Sequence, residues 1–397
     1  MKHRERVIAA LKHQQPDRVP MDLGSTRNTG ILQLPYEALM THLGLAAAPA
    51  QPADKQGEPA PTAHGISKVL GLATPDEALL RRLDIDLRGV YVGKAEHADE
   101  KLWQGELPGE WMHRDDFGVV RRCPPGGHYF DVVKPPLAGE ITLGDIARYP
   151  WPDPTDPGIT RGLRERAKKL RETTDCALVL HLSDICVHTS QYLRGFEPWY
   201  MDLVLDPGLS GALMDAILEV RLEIARRALA EVGDLIDLVS CADDVADQRG
   251  PIMSLRTYRK LLKPRHGRYI ALLRQLTAAP VFFHSCGSVV DLLPDFIDMG
   301  IEVLNPVQVT ARGMDPARLK ASFGKDLVFC GGIDSMRVLP FGTPDEVRAE
   351  VRRRIHELGE DGGYILTAVH NIQPDVPPEN IAAMYEEARQ YAYSDRP

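Results

Sequence analysis

His284, Ser285 and Cys286 form the sharpest chemical feature of the sequence, at the end of a short apolar run typical of a β-strand. Residues two apart on a strand point the same way, so the imidazole of His284 and the thiol of Cys286 can reach one metal ion. Zinc suits mixed nitrogen and sulfur ligands, and a catalytic zinc site keeps one position open. The neighbouring Gly287 lets backbone or substrate approach closely. The alternative is a buried cysteine beside a hydrogen-bonded histidine.

A zinc site needs a third protein ligand, and Cys330 and His370 lie at other predicted strand ends where they could supply it. Either residue could instead orient a ligand through a hydrogen bond. A lone cysteine is more often a small buried hydrophobic residue, whereas His370 precedes Asn371 and Gln373 in a polar turn. The sequence therefore leaves both residues as candidate ligands.

Three carboxylates at strand ends are candidate catalytic residues, namely Asp243, Asp244 and Asp334. Adjacent residues on a strand point to opposite faces, so we expect only one of Asp243 and Asp244 to face a ligand. That carboxylate would act as a general acid or base, or bind a substrate cation. The alternative is helix capping. Asp334 follows a Gly-Gly pair that predicts a tight turn at the mouth of the site.

Other polar side chains at strand ends are candidate substrate-binding residues, because a polar group in a buried strand needs a partner or a function. They are His181, Asn305, Gln308 and Asn371.

Short apolar strands alternate with amphipathic helices along the chain, which predicts a parallel sheet. Eight strands would close a (β/α)₈ TIM barrel, whose reactive groups project from the carboxyl ends of the strands. An open doubly wound sheet is the alternative, but no glycine-rich phosphate fingerprint follows the first strand. The candidate strands lie near residues 20, 88, 180, 238, 282, 303, 328 and 366.

The 397 residues are expected to form one domain spanning 1–397. A stretch rich in alanine and proline at about 45–63 predicts a mobile loop. Aromatic residues, glycines and prolines at about 103–135 predict a β-rich insertion over the barrel mouth.

The formal net charge of −9 argues against a general affinity for nucleic acid or anionic membranes. The charged, amphipathic start does not resemble a signal peptide, and the longest apolar runs are strand-sized, so we expect no membrane span. The six cysteines are irregularly spaced, which favours reduced thiols in a cytoplasmic protein.

At these residues the sequence resembles the uroporphyrinogen decarboxylase superfamily, and the resemblance covers nearly the whole chain. It implies a (β/α)₈ barrel and is compatible with a homodimer. The motifs that carry it are Arg4-Glu5-Arg6-Val7 through Pro16-Asp17-Arg18-Val19-Pro20, His284-Ser285-Cys286-Gly287, Asn305-Pro306-Val307-Gln308, Gly331-Gly332-Ile333-Asp334 and His370-Asn371-Ile372-Gln373-Pro374-Asp375-Val376-Pro377.

Two chemistries are known in this superfamily, and the resemblance favours one of them. True uroporphyrinogen decarboxylases carry an Arg-Gln-Ala-Gly-Arg-Tyr motif, but the matching region here reads Met21-Asp22-Leu23-Gly24-Ser25-Thr26-Arg27. The other branch contains zinc methyltransferases that pass methyl groups between a small substrate or thiol and a corrinoid. Their zinc ligands are His-x-Cys and a later cysteine. His284 and Cys286 match the first two, and His370 stands near the third.

The resemblance therefore implies a zinc-dependent methyltransferase acting between a small methyl donor or acceptor and a corrinoid (cobalamin) protein or thiol. No corrinoid-binding Asp-x-His-x-x-Gly motif occurs in the sequence, so a partner protein would present the corrinoid. One alternative is a metal-free decarboxylase or lyase that acts on a carboxylated substrate. Another is a non-catalytic protein that binds a corrinoid or tetrapyrrole.

Overall fold

The computed structural model describes residues 1–45, 71–97, 100–125, 127 and 130–391, and its centre is a parallel sheet of seven strands. The strands of this sheet lie in the order β1-β6-β7-β8-β9-β10-β11, and a separate antiparallel sheet has the order β2-β3-β4-β5. The strands are β1 (Leu87–Tyr91), β2 (Lys101–Gln104), β3 (Trp111–Arg114), β4 (Val120–Cys123), β5 (Asp131–Lys134), β6 (Ala177–Asp184), β7 (Leu238–Ala242), β8 (Val281–His284), β9 (Val303–Val307), β10 (Val328–Ile333) and β11 (Tyr364–Ala368).

Helices alternate with the parallel strands and cover one face of the curled sheet, while side chains of the strands pack against one another on the other face. Every residue of β7 to β11 is therefore buried. The helices are α1 (His3–Leu11), α2 (Gln33–His42), α3 (Glu77–Arg82), α4 (Leu143–Arg148), α5 (Leu163–Thr173), α6 (Val187–Arg194), α7 (Phe196–Leu205), α8 (Pro207–Val232), α9 (Leu255–Thr257), α10 (Lys263–Leu276), α11 (Leu293–Met299), α12 (Pro316–Phe323), α13 (Val338–Phe341), α14 (Pro344–Gly359) and α15 (Pro378–Gln390). Within the described part of the chain, no helix combines the length and apolar character needed to cross a membrane.

Seven of the eight predicted strands are present, and the prediction of a regular eighth strand near residue 20 is wrong. That segment makes one isolated bridge, between Met21 and Leu366 of β11. The carbonyl of Met21 accepts from the amide of Asp86, next to β1, at 2.9 Å. Because the two edges of the sheet approach the same short segment, the sheet is curled. Pro20 lacks an amide donor, which limits the ladder that this segment can form.

The four antiparallel strands β2 to β5 lie in the region where the β-rich insertion is predicted. Its β3–β4 turn contacts α8, since the guanidinium of Arg221 lies over Phe117 at 5.0 Å from the ring centroid. Arg221 also donates to Asp184, the last residue of β6. The predicted loop at 45–63 lies, apart from residue 45, outside the described residues.

Two helices begin at residues whose side chains cap them. Thr343 and Glu346 make a reciprocal capping box at the start of α14. Ser254 caps α9, and a π-helical segment, Tyr258–Leu262, separates α9 from α10 next to Pro264. Pro264 explains this irregularity, because a proline inside a helix removes one helical hydrogen bond.

The arginine-rich opening of the chain is held by a buried carboxylate, Asp86, which is fully shielded from solvent. Asp86 accepts from Arg6 at 2.6 Å, from Arg18 at 2.7 Å and from the amide of Met21 at 2.8 Å. Arg6 also donates to Asp17 at 2.6 Å. These ion pairs give a structural reason for the arginines and the aspartate of the motif at residues 4–20. They hold α1 and the segment around Met21 in the gap between the two edge strands of the sheet.

We expect Asp86→Asn to lower the free energy of unfolding by about 3–5 kcal/mol, because Arg6 and Arg18 would lose the buried carboxylate that they share. Each arginine would keep only its partly exposed partner, Asp17 or Asp84. Asp345→Asn is the matched control, since Asp345 is 96% exposed and pairs with Arg348 on the surface of α14; its effect should stay within about 1 kcal/mol. Urea unfolding of both variants measures the difference. Equal stability of the two variants would contradict the role assigned to Asp86.

Candidate metal centre

His284, Cys286 and His370 meet at the carboxyl ends of the strands. His284 is the last residue of β8, Cys286 follows two residues later, and His370 follows β11. One nitrogen from each histidine and the sulfur of Cys286 all lie within 4.8 Å of one another. The sulfur of Cys286 is 3.4 Å from Nε2 of His284, and the two imidazole centroids are 5.5 Å apart. The structure thus brings together the His-x-Cys pair and one of the two candidate third ligands.

Asn305, at the middle of β9, fixes the orientation of His284. Its side-chain oxygen lies 2.5 Å from Nδ1 of His284, and its side-chain nitrogen donates to the carbonyl of Cys330 at 3.3 Å. This assignment of the amide places the proton of the histidine on Nδ1 and leaves the lone pair of Nε2 facing Cys286 and His370. Asn305 was predicted to bind substrate, but in this structure its side chain holds a candidate ligand.

The loop that carries Cys286 is held by three side chains. The amide of Cys286 donates to Asp244 at 2.7 Å, and the amide of Gly287 donates to Gln308 at 2.6 Å. The hydroxyl of Ser285 accepts from the amide of Val245 at 3.1 Å. Gly287 has a φ of 91°, and a Cβ there would lie 2.5 Å from the carbonyl of Asp247, so the turn requires glycine. Gln308, predicted to bind substrate, thus supports the loop.

The three ligand groups are kept neutral by their surroundings. Burial lowers the pKa of His284, and burial together with the charge of His284 lowers the pKa of His370 to about 4. Burial and the negative charge of Asp244 raise the pKa of the Cys286 thiol. Neutral imidazoles have free lone pairs, and a bound cation would favour the thiolate. Cys286 and His370 are only half-buried, so the group is reachable from solvent.

Asp244 and His188 form an ion pair beside this group. Nε2 of His188 lies 3.3 Å from one oxygen of Asp244, and the other oxygen lies 3.8 Å from Nε2 of His284. Burial tends to lower the pKa of His188, but the hydrogen bond to Asp244 and the nearby carboxylate charges outweigh it and raise the pKa to about 9. Burial opposes ionisation of Asp244, yet His188 holds its pKa well below the ordinary value. Sequence reasoning missed His188.

Asp243 points away from Asp244, as the alternation of side chains along a strand predicts. It is fully buried and accepts from the amides of Cys186 and Val187 at 2.9 and 3.0 Å, at the start of α6. Its carboxylate also lies 3.1 Å from Nε2 of His266. Of the two candidate carboxylates, only Asp244 faces the metal-ligand group.

Cys330 and Asp334 lie outside the ligand group. Cys330 is buried in an apolar cluster that includes Val328 and Ile365, and among the residues that the structure describes it does not belong to the group of His284. Asp334 accepts from the amides of Met336 and Arg337 at 2.8 and 3.1 Å, so its carboxylate stabilises the turn after β10.

The two other candidate substrate-binding residues also have partners within the protein. Asn371 accepts from the amide of Gly30 at 2.7 Å. His181 lies 2.8 Å from the hydroxyl of Ser240, and burial, then the charges of Arg27 and His284, lower its pKa well below the ordinary value. His181 therefore lies near both Arg27 and His284.

A set of charged residues forms a wall near the mouth, which we call the charged wall: Arg27, Asp116, Asp184 and Arg221. Arg221 donates to Asp184 at 3.0 Å. Burial and the charge of Arg221 lower the pKa of Arg27, and the exposed carboxylate of Asp116 lies near Arg221. Asp116 lies in the region where the sequence predicts a β-rich insertion, and Arg221 lies inside a long helix whose pattern carries no chemical signal.

A curled parallel sheet with histidine, cysteine and aspartate at the carboxyl ends of its strands defines an α/β protein with an active-site-like cluster in the position typical of such folds. The family model described as uroporphyrinogen decarboxylase (URO-D) matches residues 137–391, more than half of the 397 residues. The chain belongs to the uroporphyrinogen decarboxylase family, which confirms the resemblance. The opening motif lies before the matched residues.

Individual relatives are distant. A uroporphyrinogen decarboxylase from Pelodictyon phaeoclathratiforme is 29% identical over 28% of this chain and 30% of its own length. One from Syntrophotalea carbinolica is 28% identical over 45% of this chain and 48% of its own length. The chain thus spans about half or less of these curated relatives. A solved structure described as a methyltransferase from Methanosarcina mazei is 18% identical, covers 98% of this chain and 99% of its own, and has a TM-score of 0.64. At that identity the likeness shows the fold.

We expect His188 to titrate with a pKa of about 9 in metal-free protein, followed by NMR of its imidazole protons. Asp244→Asn should lower that pKa, since the variant removes the hydrogen-bonded charge. Because the folded-state pKa lies above the ordinary 6.5, the pair should stabilise the fold fully below about pH 6.5 and lose this effect as the pH rises through about 9. An unchanged His188 pKa in the variant would contradict the pairing.

Proposed function

We propose that the chain is a zinc-dependent methyltransferase that moves a methyl group between a small substrate and a corrinoid protein or a thiol. The observation that carries the proposal is the approach of His284, Cys286 and His370 within 4.8 Å. Two nitrogen donors and one sulfur donor match the three protein ligands of a catalytic zinc site, with one position left for substrate.

The donor set fits zinc, and His370 is the better third ligand because Cys330 lies in an apolar cluster away from the group. His284, Cys286 and His370 would hold the ion. When bound, zinc supplies Lewis acidity and lowers the pKa of a coordinated thiol or water. Asn305 keeps Nε2 of His284 free to coordinate, and Asp244 holds the backbone of Cys286 in place.

The chain's own contribution to methyl transfer would come from the His188–Asp244 pair. In the transfer, the bond between the methyl carbon and the donor oxygen, nitrogen or sulfur breaks, its electron pair stays on the donor atom, and the acceptor's lone pair forms the new bond to carbon. A protonated His188 can deliver a proton to the departing donor atom, and Asp244 keeps that proton on the imidazole until then. The charged wall would orient polar groups of the substrate.

A partner protein would present the corrinoid, since the sequence contains no Asp-x-His-x-x-Gly motif. The partner, the cytoplasmic location and the homodimer stay predictions.

The second candidate is a metal-free decarboxylase or lyase that acts on a carboxylated substrate. Arg27 and Arg221 of the charged wall favour it, because guanidinium groups bind carboxylates well. The relatives named uroporphyrinogen decarboxylase give it further support. It predicts carbon dioxide as a product and full activity in protein stripped of metal.

Metal content separates the two candidates. We expect purified protein to hold about one zinc per chain, and Cys286→Ser and His370→Ala to lose most of it, because each variant removes one ligand. Cys330→Ala is the matched control and should keep its zinc. Elemental analysis of folded protein measures the result. Wild-type protein without stoichiometric zinc would contradict the methyltransferase proposal.

Activity provides the second test. Methoxylated aromatic compounds and methylamines, offered with a corrinoid protein, should yield a methylated corrinoid only with zinc-loaded enzyme. His188→Gln should slow the transfer most for donors whose leaving atom needs a proton, because the variant cannot supply it. If His188→Gln slows every donor equally, His188 is not the proton donor.

A further inference from the structure

We propose that the buried pair of Asp243 and His266 is a positioning device for the metal centre, which acts through the first turn of α6. The inference rests on the proposed function, because it concerns how the zinc ligands are held. Neither residue touches the ligand group, and neither is used in the proposed chemistry.

The pair is fully buried and hydrogen-bonded on both sides. Both side chains are 0% exposed, and Nε2 of His266 lies 3.1 Å from the carboxylate of Asp243. Nδ1 of His266 lies 3.3 Å from the hydroxyl of Tyr258. The His266 ring also packs against Phe283, with centroids 5.7 Å apart, and Phe283 directly precedes His284 in β8.

The π-helical segment aligns Tyr258 with His266. In a regular α-helix, residues eight apart are offset by roughly 80° around the axis. A π-turn contains one extra residue, so eight residues that include one cover about the same rotation as seven residues of a regular α-helix, close to two full turns. Residues 258 and 266 therefore lie on nearly the same face of the helix. Tyr258 opens the π-helical segment Tyr258–Leu262, and the contact to His266 follows. Pro264 accounts for the break in the helical hydrogen bonds, and the register that results places Tyr258 against His266.

The carboxylate of Asp243 connects the contact between Tyr258 and His266 to the metal-ligand group. It accepts from the amides of Cys186 and Val187, so it fixes the direction in which α6 begins. It also lies 4.0 Å from Nδ1 of His188. The far side of the same imidazole contacts Asp244 at 3.3 Å, and Asp244 accepts from the amide of Cys286. A continuous chain of contacts therefore runs from Tyr258 to the candidate zinc ligand.

Helix capping alone does not explain the pair. Serine or asparagine caps a helix start as well as aspartate does, without burying a charge. A buried carboxylate facing a buried histidine costs desolvation that capping does not require. The contacts instead indicate that the pair holds His188 in position, since Asp243 lies beside Nδ1 of its imidazole and Asp244 beside Nε2.

Two substitutions at one position test the proposal. His266→Leu removes the donor to Asp243, whereas His266→Gln keeps a side-chain amide that can donate there. Tyr258→Phe removes only the outer hydrogen bond of the same chain of contacts, so it should change both measured properties in the same direction as His266→Leu but by less. The first measurement is the alkylation rate of Cys286 by iodoacetamide in metal-free protein, because Cys286 is the one cysteine of six that is not buried. The second is the zinc dissociation constant from chelator competition.

We expect His266→Leu to alkylate faster and to bind zinc about 10- to 100-fold more weakly, as is typical when a residue supporting a ligand is lost. His266→Gln should restore both properties towards those of the wild type. Wild-type values in His266→Leu, or equal losses in both His266 variants, would overturn the positioning role. If wild-type protein binds no zinc, the proposed function fails, while the alkylation rates still decide the positioning role.

Discussion

The interaction on which the site depends is the contact between the carboxylate of Asp244 and the amide of Cys286, at 2.7 Å. It joins the carboxyl ends of two neighbouring parallel strands, β7 and β8, and its second oxygen holds His188 from α6. One ionised group thus fixes three segments that are far apart in sequence. The carboxyl ends of parallel strands all lie at the same side of the sheet, so the candidate ligands on them are already close together. The Asp244 contact then fixes the loop of Cys286 and the imidazole of His188 in place.

The two ends of the sheet use buried charge for different purposes. At the amino-terminal end of the sheet, Asp86 forms ion pairs with Arg6 and Arg18. These ion pairs hold the first residues of the chain across the gap between the two edge strands. At the mouth, burial keeps His284 and the thiol of Cys286 uncharged while a charged pair stands beside them. A neutral imidazole next to an ordered carboxylate is favourable for binding a cation, because no proton has to be displaced from the histidine. The thiol of Cys286 would release its proton when a cation binds.

The sequence predicts the strands well, because short apolar runs buried on both faces leave little ambiguity, and His-x-Cys is informative because strand alternation is a local rule. It does not predict His188, since α6 lies in an irregular stretch and contacts Asp244 only through the fold. Local pattern separates Asp243 from Asp244 but cannot say which one faces the mouth. The sequence also does not predict that Asn305 orients His284, because the two residues lie 21 positions apart on different strands. The strand predicted near residue 20 failed because its pairing depends on both edges of the sheet.

X-ray absorption at the zinc edge tests the central claim most directly, because it identifies the atoms bound to the metal in the intact protein. The account predicts one sulfur at about 2.3 Å and nitrogen neighbours at about 2.0–2.1 Å with the multiple-scattering signature of imidazole. A first shell of oxygen and nitrogen without sulfur, in protein that holds its full complement of zinc, would contradict a centre built on His284, Cys286 and His370.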